Sequence, residues 1–273
     1  MKFKFKFVVF FSLALMAVMS AIYYVRYAPK PYTSIPEPTP AFAFVLATQN
    51  KQFTLPILVY HYVEIVTDQR DTIRKSLNIT PSTFERQVQT LKENGYTFIT
   101  PSQIPQIQSG KLNVEKPIII SFDDGYHDFY TDVFPILKKE NIRVIAYIVP
   151  GFLDKPNYMY WDQLEEIVKS NLVEIGAHTV SHPALDKLQG QIASAEIVQS
   201  KSLLEQRLGI KVNSFAYPYG RFNDQVVKIV QSAGYISAVT EIPGPNQSEQ
   251  QPFVLKRIHP GVAIGQALIT KLK

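Results

Sequence analysis

The chain has 273 residues, 46% of them hydrophobic, so it is long enough for one large domain with a substantial core. It contains no cysteine, which excludes a disulfide framework and any thiolate site. The formal charge of +5 arises entirely before residue 31, and the rest of the chain carries 23 basic and 23 acidic side chains, so no nucleic-acid partner is expected.

Residues 1–28 are predicted to be a basic cytoplasmic start followed by a transmembrane anchor. Three lysines precede an uncharged, apolar run over 7–25, which approaches the ~20 residues needed to span a bilayer. We therefore expect a single-pass membrane protein that contacts the lipid bilayer here and holds its remaining residues outside the cytoplasm. A cleaved signal peptide is the alternative, and the protein would then be secreted. Residues 29–50 form a proline-rich linker in this interpretation, and 51–273 form the folded domain.

From Pro56 onward, apolar strand patterns alternate with amphipathic helical patterns, which is typical of βα units around a parallel sheet. The predicted strands cover 57–60, 96–100, 118–122, 143–149, 172–177, 214–217, 235–240 and 254–258. The predicted helices cover 81–94, 129–140, 161–170, 188–208, 225–232 and 262–272. This series favours an irregular or incomplete α/β barrel of the TIM type, with an open doubly wound sheet as the alternative. The sequence has no glycine-rich phosphate loop, so no nucleotide partner is expected.

The strand over 118–122 ends on two adjacent aspartates. It is a short β-branched run, and Asp123, Asp124 and Gly125 follow it directly. In α/β folds the chemistry lies outside the C-terminal ends of the parallel strands, which is where these two carboxylates would sit. A turn that caps the next helix is the alternative, because Asp-Gly is a common turn dipeptide.

Histidines collect at other predicted strand ends. His178 ends one strand and His182 follows four residues later, a spacing that lets two imidazoles converge on one ion if the segment makes a single turn. Capping or a surface location is the alternative for this pair. Together with one carboxylate of the Asp pair, the two histidines would supply three ligands and leave one position open for water, as in a catalytic zinc site. The other aspartate would be free to act as a general base.

Three motifs together resemble a known family. The sequences Ser-Phe-Asp-Asp-Gly at 121–125, His-Thr-Val-Ser-His at 178–182 and Phe-Ala-Tyr-Pro-Tyr-Gly at 215–220 resemble, in order and spacing, the motifs of the polysaccharide deacetylases with a NodB homology domain. The segments at 59–61 and 161–164 look most like the branch that deacetylates poly-N-acetylglucosamine. The resemblance starts near residue 56, and its motif-bearing core covers about 115–273.

The resemblance implies a fold, a metal site and a reaction. The fold would be a distorted (β/α) barrel of the NodB type. A divalent metal, usually zinc, would be held by Asp124, His178 and His182, and Asp123 would be the base that activates water. The implied reaction is hydrolytic removal of N-acetyl groups from an N-acetylglucosamine-containing polysaccharide, either a cell-wall glycan or an exopolysaccharide. A backbone amide near Tyr219 would stabilise the oxyanion.

Two positions depart from the family pattern. Ala216 stands where many members carry an arginine that orients the catalytic base, so Asp123 would have to be held in another way. The family's C-terminal acid motif is matched only in part at 257–259. His259 is a candidate general acid, and the alternative for it is a histidine at the start of a turn.

Four further residues are candidates for the sugar-binding groove. His61 lies at a strand end, where it would either line the pocket and donate a proton or simply bond a backbone carbonyl. Trp161, the only tryptophan, is either an aromatic platform for a sugar ring or a core anchor for its helix. Pro218 and Tyr219 would shape the groove.

Two other functions stay open beside the deacetylase. A metal-free or inactive domain that only binds glycan is favoured by the missing arginine and the partial acid motif. Such a domain, however, has no need of a base beside three metal ligands. An esterase that acts on another acylated sugar is the third possibility, because the same constellation would hydrolyse an ester.

Overall fold

The computed structural model describes residues 51–66 and 70–273. The predicted transmembrane anchor at 1–28 and the predicted linker at 29–50 lie outside these residues. Within the described part of the chain, every helix is too short or too polar to cross a bilayer.

Parallel strands form the centre of the fold, as the alternation of strand and helix patterns predicts. In the described residues the strands are β1 (Gln52–Thr54), β2 (Ile57–Tyr60), β3 (Tyr62–Val63), β4 (Asn78–Ile79), β5 (Thr97–Phe98), β6 (Pro117–Phe122), β7 (Val144–Ile148), β8 (Val173–Ala177), β9 (Ser214–Ala216), β10 (Ser237–Pro243), β11 (Asn246–Ser248) and β12 (Leu255–Arg257). The main sheet runs in the order β12-β10-β9-β8-β7-β6-β2, and β5 pairs with the first residues of β6. Two short pairs, β1 with β11 and β3 with β4, lie outside it.

The two edges of the main sheet meet. Ile258, which follows β12, forms a parallel bridge with Leu58 of β2. The Ile258 N–H donates to the Ile57 carbonyl at 2.8 Å, and the Val59 N–H donates to the Ile258 carbonyl at 3.0 Å. The sheet is therefore a closed and distorted (β/α) barrel, and the alternative of an open doubly wound sheet is wrong.

The first seven helices connect successive strands, and the eighth follows the last strand. They are α1 (Thr72–Leu77), α2 (Pro81–Glu93), α3 (Ile104–Gln108), α4 (Phe134–Glu140), α5 (Trp161–Lys169), α6 (Gly190–Leu208), α7 (Asp224–Ser232) and α8 (Gly265–Lys271). Helix α2 begins as its sequence predicts, because Thr80 caps it by accepting from the Thr83 N–H at 3.2 Å and Pro81 occupies the first turn.

Apolar side chains pack on both faces of the barrel wall. In β6, Ile118 and Ile120 belong to the large outer core shared with the helices, whereas Ile119 belongs to a smaller cluster with members on β2, β7, β9, β10 and β12, which fills the barrel interior. Because both faces are buried, this strand is a continuous apolar run in the sequence. The same alternation places Ser121 and then Asp123 on the interior face.

One predicted helix is divided in the structure. The segment predicted as a helix over 129–140 begins as a π-helix, Phe129–Val133, before α4 starts. Pro135 has no N–H to donate to the preceding turn, and the Phe134 N–H bonds the Phe129 carbonyl five residues back. The predicted strand over 96–100 is shorter, at Thr97–Phe98, and the last helix begins at Gly265 rather than at residue 262.

The interior of the barrel leads to a test of the fold. A Cβ added to Gly176 of β8 would lie 2.3 Å from the ring of Tyr147, which is fully buried and cannot move aside. We expect Gly176→Ala to lower the free energy of unfolding by about 2 kcal/mol through overpacking, measured by urea denaturation. Gly110→Ala is the control, since its Cβ would meet nothing within 4 Å and only its φ of +70° adds strain. Equal losses in the two variants would contradict the assigned packing.

Candidate active site

A cavity of about 620 Å³ opens at the C-terminal ends of the barrel strands. This is the end of a (β/α) barrel where catalytic residues collect. The cavity brings together most of the residues that the sequence analysis selected, which are His61, Asp123, Asp124, His178, His182, Tyr219 and His259.

Three side chains in this cavity have the geometry of a metal site. The Asp124 Oδ1 lies 3.5 Å from the His178 Nε2 and 3.3 Å from the His182 Nε2, and the two nitrogens are 3.1 Å apart. Ligands at ordinary zinc distances in a tetrahedral shell are separated by about 3.3 Å. The three atoms therefore already occupy one face of such a tetrahedron, and the donor set suits a divalent metal such as zinc.

The protonation state of His178 suits a ligand. Its Nδ1 lies 2.8 Å from the Ala216 carbonyl, which can only accept, so Nδ1 carries the proton and the Nε2 lone pair points to the site. Burial lowers the pKa of His178 to about 3, which keeps the ring neutral at physiological pH. A carbonyl behind a ligating imidazole is the usual device for fixing its tautomer and orientation.

The loop that carries the two histidines is held in a strained shape by Glu196 of α6. Thr179 has a φ of +64° and His182 a φ of +60°, the left-handed region that such residues rarely adopt. The Glu196 carboxylate accepts from the N–H of Val180 at 2.8 Å, from the N–H of Ser181 at 2.9 Å and from the Ser181 hydroxyl at 2.7 Å. These bonds fix the loop independently of any ion.

Asp124 turns away from the strand direction directly after β6. Its φ is +74° and that of Gly125 is +79°. A Cβ at Gly125 would come within 3.2 Å of the buried Ile148 side chain, so glycine both permits the turn and avoids a close contact. Burial raises the pKa of Asp124 to about 6.

Asp123 is held by an arginine from the other end of the domain. Arg257 of β12 donates from Nη1 to the Asp123 Oδ1 at 2.8 Å and from Nη2 to Oδ2 at 2.7 Å, and both side chains are almost completely buried. Burial alone would raise the pKa of Asp123, but the charge and hydrogen bonds of Arg257 outweigh it and hold that pKa well below its usual range. The position that holds Ala216 supplies no arginine to Asp123, and an arginine on a different strand makes that contact instead.

Arg257 is itself part of a longer chain of polar contacts. Its Nε donates to the Thr240 carbonyl at 2.9 Å, and its Nη2 also contacts Glu241 of β10. The other oxygen of Glu241 lies 2.5 Å from the His259 Nε2. Because a carboxylate only accepts, this nitrogen of His259 carries a proton, and Asp123 and His259 are linked through two intervening side chains.

His61 and Tyr219 lie in the cavity, as predicted. The rings of His61 and His259 have centroids 6.2 Å apart, so the two histidines face the site from neighbouring strand ends. The Tyr219 ring is 4.6 Å from that of His182, and its side chain is 63% exposed at the cavity mouth. Tyr219 also has a left-handed backbone, with a φ of +58°.

Two predicted sugar-binding residues lie elsewhere. Pro218 is buried at the start of the 3₁₀ turn that carries Tyr219, and it does not line the cavity. Trp161 is the first residue of α5, half-buried against the core, with the Arg207 guanidinium 5.7 Å from its ring centroid. This location corresponds to the core-anchor alternative for Trp161, and it does not line the cavity either.

The sequence analysis did not select Arg257, Glu241 or Glu196. A usable signal existed for Arg257, because it precedes His259 by two residues and alternates with the interior-facing Leu255. Glu241 follows an apolar strand, as the two aspartates do. Glu196 is one of several polar residues on a long helix, and nothing in its sequence context distinguishes it.

Comparisons with known proteins agree with this site. The family model "Polysaccharide deacetylase" matches residues 111–238, which include the Asp pair and both histidines. YxkH of Bacillus subtilis (strain 168), assigned as a polysaccharide deacetylase, is 29% identical over 217 residues, which is 78% of this chain and 75% of that protein. The poly-β-1,6-N-acetyl-D-glucosamine N-deacetylase of Escherichia coli (strain K12) is 24% identical over 72% of this chain, and the match spans only 36% of that enzyme.

A solved structure shows the same architecture. The Streptococcus pyogenes deacetylase PplD, in complex with acetate, superposes with a TM-score of 0.76 and 27% sequence identity over 82% of this chain and all of that chain. The fold, the ordered motifs and the family match lead to the same assignment. Over residues 111–238, which carry the two aspartates and the two histidines of the site, the chain matches the polysaccharide deacetylase family.

Proposed function

We propose that the protein is a metal-dependent hydrolase that removes N-acetyl groups from a polysaccharide containing N-acetylglucosamine. The observation that carries this proposal is that the two adjacent aspartates have different neighbours. The Asp124 carboxylate lies beside two histidine nitrogens, whereas both oxygens of Asp123 accept hydrogen bonds from Arg257. One carboxylate is thus placed as a ligand and the other as a base.

Two similar proteins support the choice of reaction. The E. coli relative is named a poly-β-1,6-N-acetyl-D-glucosamine N-deacetylase, and PplD of S. pyogenes has acetate bound. Acetate is the acid that hydrolysis of an N-acetyl group would release. Zinc is the expected metal, because two imidazoles and one carboxylate form a donor set that it prefers.

In this mechanism Asp123 receives the proton of the attacking water. When bound, a divalent ion supplies Lewis-acid activation of the water and of the acetyl carbonyl. Arg257 fixes both oxygens of Asp123, so the carboxylate is ionised and oriented before substrate arrives. As the carbon–nitrogen bond breaks, the amine takes up a proton, and acetate and a free amino sugar remain.

The proton for the leaving amine would come from a histidine at the cavity edge. His259 carries a proton on the nitrogen that faces Glu241, and its ring lies at the edge of the cavity. His61 faces the same space from β2 and is the second candidate donor.

The case for an inactive glycan-binding domain is weakened by Arg257. That alternative depended on the missing arginine at Ala216 and on the partial acid motif at 257–259, and the first argument no longer holds because the contact to Asp123 is made from β12. A purely binding domain has no use for a buried, fully paired carboxylate beside three converging ligand atoms.

The proposal predicts separable losses of metal and activity. The full-length chain should bind about one equivalent of metal and release acetate from an N-acetylglucosamine oligomer. Asp123→Asn should keep the metal and lower kcat by about 10²-fold or more, because the base is lost while the three ligand side chains remain. His178→Ala should lose both metal and activity. Metal analysis and an acetate assay measure the two quantities.

Asp224→Asn is the matched control for this experiment, because Asp224 is exposed at the start of α7, away from the cavity. It should behave as wild type. Metal binding without acetate release from any N-acetylated oligomer would contradict the proposed reaction, and release from an O-acetylated sugar alone would identify an esterase.

Arg257 provides a second test. Arg257→Lys keeps the charge but loses the two-pronged contact, so we expect kcat to fall by about 10²-fold as Asp123 loses its orientation. Arg257→Ala should lower the free energy of unfolding by about 3–5 kcal/mol, because Asp123 is left buried without a partner. Adding Ala216→Arg to the Arg257→Ala variant should restore part of kcat and part of the free energy of unfolding, since Ala216 also faces the barrel interior.

The control for the arginine test is Arg221→Lys, because Arg221 makes a similar two-pronged contact to Asp186 on the surface. It should leave kcat unchanged. An Arg257→Lys variant with wild-type kcat would show that the contact does not orient the base.

Glu196 should govern metal affinity rather than chemistry. Glu196→Gln weakens three hydrogen bonds to the loop between the histidine ligands, so we expect the Kd for zinc to rise by about tenfold, while kcat at saturating zinc stays near wild type. Competition with a zinc-binding dye measures the Kd. Glu165→Gln is the control, because Glu165 pairs with the exposed Arg207 rather than with the histidine loop. An unchanged Kd would mean that the loop holds its shape without Glu196.

A further inference from the structure

A second cavity lies next to the catalytic one. It has a volume of about 310 Å³, and Tyr158 lines both cavities. Tyr126 lines the catalytic cavity, and the next residue in the chain, His127, lines the second. The backbone at 126–127 therefore separates the two cavities.

The wall between the cavities is rigid and aromatic. Tyr126 and Tyr158 form a backbone bridge, and the His127 N–H donates to the Asn157 carbonyl at 2.9 Å. The rings of Tyr126 and Tyr158 stack with centroids 5.1 Å apart, and Tyr62 stacks on the other side of Tyr126 at 3.9 Å. A chain of sugar rings that crosses this wall would pass over aromatic side chains, which offer an apolar face and a polar edge together.

The second cavity is acidic. Glu64, Asp128 and Asp132 line it, and the only cationic side chain among its lining residues is Arg74. Arg74 is already engaged, because its Nε contacts Glu64 and its guanidinium lies 4.8 Å from the Tyr62 ring centroid. His127 is the other titratable group there besides tyrosines. Two carboxylates are therefore left without a compensating charge in the lining.

Asp128 adds an unsatisfied buried group. Its side chain lines the cavity and the residue is only 6% exposed. The Oδ2 accepts from the Val63 N–H at 2.5 Å, whereas the Oδ1 has no hydrogen-bond partner in the described part of the chain. Burial raises the pKa of Asp128 to about 6, so the carboxylate is still mostly ionised at neutral pH. The Oδ1 atom has almost no accessible surface, so Asp128 acts on the cavity through its charge rather than through a direct contact.

We propose that the second cavity binds a cationic sugar unit of the polysaccharide, a glucosamine whose amino group has already been freed, while an acetylated unit of the same chain occupies the catalytic cavity. This inference rests on the proposed function. The amine is the only cationic group that the reaction creates, and an N-acetylated unit has no charge to match Asp128 and Asp132. Deacetylation would accordingly be favoured next to units that have already lost their acetyl group.

The test compares oligomers of one length. The full-length chain should show a higher kcat/KM for N-acetylglucosamine oligomers that contain one internal glucosamine, with each position of that unit assayed, than for the fully acetylated oligomer. Asp132→Asn removes one charge but keeps the acceptor that bonds the Thr131 hydroxyl. In this variant the ratio of kcat/KM for the glucosamine-containing oligomer to kcat/KM for the fully acetylated one should fall by about fivefold, as expected for loss of one exposed ion pair. The kcat/KM for the fully acetylated oligomer should not change.

Glu85→Gln is the matched control, because it removes a carboxylate that lines neither cavity and pairs with Lys139. It should keep the full preference. A wild type without preference, or an Asp132→Asn variant with the wild-type preference, would overturn the inference.

Binding separates this inference from the proposed function. If wild type releases no acetate from any oligomer, the proposed function is wrong. The Kd for a fully deacetylated glucosamine oligomer, measured by calorimetry, then tests the cavity by itself. Weaker binding by Asp132→Asn than by Glu85→Gln supports the cationic subsite, and equal binding by the two variants overturns it.

Discussion

The buried pair of Asp123 and Arg257 is the interaction on which the rest of the site depends. Either charge alone would be costly at this depth, and the pair is tolerated because every nearby donor and acceptor is used, including the Thr240 carbonyl and Glu241. Asp123 directly follows β6 and Arg257 ends β12, and these strands come together only when the barrel closes at Ile258. The orientation of Asp123 is therefore a consequence of completing the fold, so under the proposed mechanism activity depends on the integrity of the whole barrel.

Local strain is the second constraint. Four residues of the site have left-handed backbones, namely Asp124, Thr179, His182 and Tyr219, and each such residue costs about 1 kcal/mol or more. Hydrogen bonds to Glu196 offset that cost in the histidine loop, and the buried strands behind each turn leave it no room to relax. The gain is a set of ligand atoms that lie at metal-binding distances before any ion arrives.

The sequence was sufficient for the parts of the structure that local patterns encode. Alternating strand and helix signals predicted the barrel, and the Asp pair and the two histidines were found because they follow apolar strands. The arginine contact was not foreseen, because its partners are 134 residues apart and pairing of this kind has no local signature. The π-helix at 129–133 was not predicted either, because Pro135 alters hydrogen bonding without interrupting the apolar pattern.

Charge distinguishes the two neighbouring cavities. In the catalytic cavity the carboxylates of Asp123, Asp124 and Glu241 would be balanced by Arg257 together with a divalent ion, so a loaded site is close to neutral. Under the proposed function, the neutral N-acetylated unit would occupy that space. The adjoining cavity has three carboxylates against one guanidinium, and no metal-binding cluster occurs there among the described residues, so its charge stays negative. A polymer that carries both kinds of unit would be ordered across the Tyr158 wall by this difference, because each unit is stabilised in only one of the two environments.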